Sequence, residues 1–125
     1  MKIQFPAWLF FIILSGILPS PAQTPAAPYY DSKLIRLSEI LGSLHYLRNL
    51  CGDKGTQWRD RMSRMVDTEK PNAMRKTRFL AAFNNAYRAF SNRYYECTPA
   101  AIEAIRRYDQ EGATLSQELI ERYGN

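Results

Sequence analysis

Two cysteines, Cys51 and Cys97, limit what this chain can fold into more than any other pair of residues. Each closes an amphipathic stretch. Upstream of Cys51, residues Leu34, Leu37, Leu41, Leu44 and Leu47 recur at steps of three and four, which marks one buried helical face. Upstream of Cys97, residues Leu80, Phe83, Tyr87, Phe90 and Tyr94 do the same. A bond between the cysteines would bring the C-terminal ends of two helices within about 7 Å at the Cα level.

Whether the thiols pair depends on where the chain is sent. Lys2 precedes an apolar run, Phe5 to Leu18, and Ser20 and Ala22 supply small residues at the −3 and −1 positions of a cleavage site. That pattern predicts a secretory signal peptide over 1–22, with cuts near Ala26 or Ala27 as alternatives. The run is shorter than the roughly 20 residues of a spanning helix, so no transmembrane span is expected after cleavage. Gln23 onward is Pro/Ala-rich, giving a disordered leader over 23–30 and a single domain over 31–125. An exported chain with two cysteines is expected to pair them as Cys51–Cys97. With one histidine in the chain, a zinc site lacks ligands, and no cofactor is expected.

Two further helices complete the reading. Thr56 caps a shorter one reaching about Lys70, with Trp58, Met62 and Met65 as its stripe, read as core in preference to a Met-rich docking face. Pro71 stops it, and the helix that ends at Cys97 runs from about Ala73 to Glu96. Thr98 then caps a helix that opens on Pro99 and carries Ala101, Ile105, Tyr108, Gly112, Leu115 and Leu119. The expected fold is an all-α, up-down-up-down four-helix bundle closed by one disulfide. Counting back from the cysteines sets Leu44 level with Phe90, Leu41 with Tyr87, Leu37 with Phe83 and Leu34 with Leu80. Gly42 and Gly112, costly inside helices, are expected to mark where the first and fourth helices cross.

Chemistry is sparse. His45 shares a polar stripe with Ser38 and Asn49, and the third helix carries Asn84, Arg88, Ser91 and Tyr95. His45, Arg48, Asn49, Asn84 and Arg88 are therefore the candidate binding residues, suited to an anionic or hydrogen-bonding ligand. Mutual satisfaction of these polar groups at a helix flank is the plainer account. No nucleophile–base–acid set, phosphate loop or metal-binding motif stands out, so no catalytic residue is assigned. The balance is 17 basic to 12 acidic side chains, with Arg59, Arg61, Arg64, Arg75, Lys76 and Arg78 clustered on the second and third helices. Outside the cytoplasm, such a patch faces an acidic protein or an anionic envelope surface and not nucleic acid.

The segments from Leu41 to Cys51, Trp58-Arg59, Phe83 to Phe90, and Cys97-Thr98-Pro99-Ala100-Ala101 through Arg107-Tyr108 to Glu111-Gly112 together resemble a family of small exported alphaproteobacterial proteins catalogued as a domain of unknown function. The resemblance runs from about Tyr29 onward. It implies a Gram-negative periplasm and both cysteines as a fixed feature, and it transfers no active site. The functional expectation is a non-catalytic binding module of the cell envelope. The alternatives are a small enzyme or ligand-binding protein using His45 and Arg88, and an inhibitor or immunity-type protein.

Overall fold

The computed structural model describes residues 16–20 and 26–123, so most of the expected signal peptide and the first residues of the leader lie outside the described residues. Four helices follow one another: α1 (Asp31–Leu50), α2 (Gln57–Glu69), α3 (Ala73–Ser91) and α4 (Pro99–Tyr123). Among the described residues there is no strand, and no helix is long and apolar enough to cross a membrane.

Helix boundaries follow local chemistry. Gly52 sits at φ 93° just past α1. Its N–H donates to the Asn49 carbonyl, and the Asp53 N–H donates to that of Arg48 at 2.9 Å. Those two bonds satisfy carbonyls that the helix end leaves open, as a Schellman turn does. Asn72 caps α3 by accepting the Arg75 N–H at 2.9 Å, and the Thr98 hydroxyl accepts the Ala101 N–H at 3.1 Å ahead of Pro99. Asp31 is the first residue of α1, and Tyr30 precedes the helix without a side-chain cap. The Asp31 carboxylate is used elsewhere, in a forked ion pair with Arg75 of α3.

The helices alternate in direction as expected, and Cys51 and Cys97 are bonded with their Cα atoms 4.9 Å apart. The arrangement is less even than a square bundle. α1 packs against all three other helices, whereas no Cα of α2 or α3 comes within 8 Å of one in α4. α1 is thus a central rod with α3 behind it and α2 and α4 along its front. Ten of its residues are buried, including Leu34, Ile40, Leu41, Leu44 and Leu47, and they face several directions. A helix apolar on more than one side belongs in the middle of its domain.

Three expectations need correction. α3 ends at Ser91, not near Glu96, and residues 92–98 are not helical. The helical countdown from Cys97 therefore overshoots. Phe83 lies against Gly42, five residues further along α1 than Leu37, and the His45 ring lies beside Phe83 and Tyr87. Phe83 to Ser91 advances about 12 Å and Gly42 to Cys51 about 13.5 Å, so residues 92–97 add little along the axis. The face of α3 turns accordingly: Phe79 is completely buried, and Leu80, about 100° around the helix, is 40% exposed. Gly42 also meets a different partner from the one expected. A Cβ there would stand 2.8 Å from the Phe83 carbonyl carbon and closer to its oxygen, so this glycine admits α3, not α4. α4 approaches α1 through Ala101 and Ala104 against Leu47, and through Gly112 against Ile40.

The end of the expected leader belongs to the folded unit. The Pro28 carbonyl accepts the Asp31 N–H, the Tyr30 hydroxyl donates to Glu69 at 2.9 Å, and the Tyr30 ring stacks on Tyr123 at 5.0 Å. These contacts hold residues 28–30 against the helices.

Candidate functional site

The five residues singled out from sequence do not form one site. His45 is buried, its ring beside those of Phe83 and Tyr87 of α3 at centroid distances of 5.9 and 5.5 Å. Its Nδ1 has no hydrogen-bond partner among the described residues. Burial, reinforced by Arg59 and opposed by Asp60, holds its pKa below the ordinary 6.5. Asn49 is a loop clamp: its amide donates to the His45 and Gly55 carbonyls, and its oxygen accepts the Gly55 N–H. Asn84 and Arg88 lie on the exposed side of α3. Arg48 leaves His45 altogether, pairing with Asp109 of α4 while its guanidinium carbon stands 5.7 Å from the Trp58 ring of α2.

That position of Arg48 reveals the more substantial feature. α2 and α4 run along the front of α1 with their backbones apart, and an open trough of about 750 Å³ lies between them. Its floor is Leu34, Leu37, Ile40, Leu41 and Leu44 of α1. Met65 lines the α2 wall, and Gly112, Ala113, Leu119 and Ile120 line the α4 wall. Each end is bridged. At one, Arg48 joins Asp109 to Trp58. At the other, Tyr30 donates to Glu69 of α2 and stacks on Tyr123 of α4. From Tyr30 to Arg48, α1 spans about 27 Å.

Both ends are braced from behind. At the Tyr30 end, Arg75 holds Asp31 at 2.6 Å and Glu69 at 2.7 Å, with all three side chains less than one-fifth exposed. Two carboxylates around one guanidinium fasten α1, α2 and α3 together and keep Arg75 firmly charged. The hydrogen bond to Glu69 in turn pushes the Tyr30 phenol up. Along its outer edge α4 is tied to α1 by Arg36–Glu111 and Lys33–Glu118, which hold both carboxylates below their ordinary range. Exposed pairs of this kind contribute little each, but they keep the α4 wall in place.

The charge on the trough is lopsided once pairings are counted. Its acidic residues, Glu69 and Asp109, are engaged by Arg75 and Arg48. Its basic residues, Arg61 and Arg64 on the α2 wall, are exposed and form no ion pair or hydrogen bond among the described residues. An apolar floor with two free guanidinium groups on one wall suits a ligand with an apolar body and an anionic group.

A family model described as "Protein of unknown function (DUF2385)" matches residues 28–123. The chain belongs to that family. The matched stretch begins at Pro28, which accepts the first α1 bond, and ends at Tyr123, which closes the trough. No curated protein and no solved structure matches the chain.

The trough was only partly visible in the sequence. The leucine stripe predicts bundle core, which Leu34, Leu41 and Leu44 are, and the arginines are surface charge; periodicity does not tell that the two border one channel. Ile40, which lies off the leucine stripe, was the available signal: together with Ile35 it makes α1 apolar on more sides than an outer helix needs.

Proposed function

We propose that this protein is exported to the periplasm and acts there as a non-catalytic binding module whose binding site is the trough between α2 and α4. The observation that carries the reading is an apolar floor left open between two bridged ends. The floor side chains are largely buried, but Met65, Leu119 and Ile120 on the walls are partly or fully exposed, and an apolar body that displaces water from this lining gains free energy. The basic, apolar and small-residue order of the N-terminus supports export. The Cys51–Cys97 bond fits an oxidising compartment.

Export is tested by fractionating cells that express the full chain. A periplasmic product beginning near Gln23 is the expected result, and a full-length cytoplasmic product refutes it. Binding is tested by placing a photo-crosslinking residue at Ser116, on the trough wall, and a control at Asn84, on the exposed side of α3. Irradiation of intact cells should give an adduct from position 116 and none from 84. Equal labelling, or none from 116, removes the trough as the binding site.

A further inference from the structure

We infer that the occupant of the trough is a single-chain fatty acid, with its acyl chain along α1 and its carboxylate on Arg61 and Arg64. The inference rests on the trough being the binding site and adds what fills it. Three features converge on this ligand.

Size comes first. A helix as long as the floor from Leu34 to Leu44, about 15 Å, with a diameter of about 10–12 Å, occupies about 1,200–1,700 Å³. The trough is open and holds about 750 Å³, so a body seated wholly within it is thinner than a helix. Length agrees. α2 runs antiparallel to α1, with Trp58 near Arg48 and Glu69 near Tyr30, which puts Arg64 and Arg61 about level with Ile40 and Leu44. From those levels down to the Tyr30 end is about 15–21 Å of α1. An extended chain of roughly 12 to 16 carbons, advancing about 1.3 Å per bond, covers that distance. Charge is the third. The trough's acids are already paired by Arg48 and Arg75, leaving Arg61 and Arg64 as its free cations. A carboxylate takes a forked pair of hydrogen bonds from a guanidinium, and its acyl chain then lies on the leucine floor.

The test uses the full chain after natural processing, purified from the periplasm and stripped of lipid, with tetradecanoate titrated calorimetrically below its micellar concentration. One molecule should bind per chain. Dodecanoate should bind about fifteenfold more weakly, since each buried methylene is worth about fourfold. Tetradecanol should bind at least tenfold more weakly than the acid. The double variant Arg61→Ala/Arg64→Ala should erase that preference while keeping the wild-type helical circular dichroism, because both side chains are exposed. Ala113→Trp, on the α4 wall, should abolish binding by filling the channel. Equal affinity for acid and alcohol, or an unchanged double variant, overturns the anionic assignment. If position 116 crosslinks only a protein and tetradecanoate does not bind, the lipid inference falls while the trough remains a binding site. If position 116 crosslinks nothing, the broader reading has failed.

Discussion

The two long sides of α1 are finished in opposite ways. Against α3 the backbones meet: Gly42 rests on the Phe83 main chain, Asp31 and Arg75 lock the N-terminal ends, and a disulfide ties the other end to the segment that follows α3. Between α2 and α4 the same helix offers leucine and isoleucine side chains to an open channel, bridged at its ends by Arg48 and Tyr30. One side uses small residues and covalent closure, so it has a single solution. The other has bulky side chains packed by Met65, Leu115 and Leu119 on either hand, with a channel left between them. The contrast separates the part of α1 that makes the domain from the part available to a ligand, and both belong to one 20-residue helix.

The closed side should break most severely when its covalent tie is removed. The cysteines are 46 positions apart, and the loop-entropy account gives about 4 kcal/mol for a closure of that length. Cys51→Ser/Cys97→Ser should lose about that much in urea unfolding, a large share of what a small domain has. A loss under 1 kcal/mol would mean that packing between α1 and α3 already does the work assigned to the bond.

Gly42→Ala comes next. An added methyl meets backbone, which cannot rotate away, so about 2–3 kcal/mol should be lost even though alanine favours helix by about 1 kcal/mol. Gly112→Ala is the internal control. Its Cβ would stand 3.1 Å from Ile40 Cγ2, a side-chain atom able to shift, and propensity should leave the change within about 1 kcal/mol of zero. Equal effects at the two glycines would show that α4 is packed as tightly as α3.

What could be read in advance divides along the same line. Helix number, direction and the cysteine pair follow from local signals: Gly52, Pro71, Asn72 and Thr98-Pro99 act within a few residues of themselves, whereas Thr56, expected as a cap, makes no cap bond and its hydroxyl donates to Asp60. The register of α3 does not, because it depends on where that helix stops, and nothing local at Ser91 distinguishes it from a helix running on to Glu96. Five residues of error there exchanged Phe79 for Leu80 and gave Gly42 the wrong neighbour. The candidate site fared similarly. Arg48 and Asn49 are expected from sequence as binding residues, whereas in the structure they engage Asp109 and Gly55, partners fixed by how α4 leans on α1 and by loop path. A periodic stripe says that a side chain is covered or apolar; it does not say whether the cover is protein or a ligand.

His45 probes the closed side by pH. Its folded pKa lies below the ordinary 6.5 through burial, with Arg59 adding to the shift and Asp60 opposing it. The unfolded chain therefore binds more protons in the window just under 6.5, and stability falls as pH drops through it, levelling once the folded histidine also protonates. Glu111, held below its ordinary 4.5 by Arg36, acts in a lower window: its contribution is present above 4.5 and is lost as pH falls through its folded value. Urea midpoints measured from pH 7.5 to 5 should decline for the wild type and much less for His45→Leu. Parallel curves would show that the ring is wetter than its 8% exposure implies.

The smallest change in stability should come from the largest added side chain. Ala113 is exposed on the trough wall of α4, and Ala86 is half-buried on α3. Ala86 follows Phe83 by three residues and so shares its α1-facing side. Ala113→Trp adds an indole over open space above the leucine floor. Helix propensity costs a few tenths of a kcal/mol and newly covered apolar area returns a similar amount, so unfolding should stay within about 0.5 kcal/mol of wild type. Ala86→Trp drives the same group toward the packed α1–α3 side and should lose about 3 kcal/mol or fail to fold. If both variants are equally destabilised, the front of α1 is as full as its back, and the volume attributed to a ligand is taken up by the protein's own side chains.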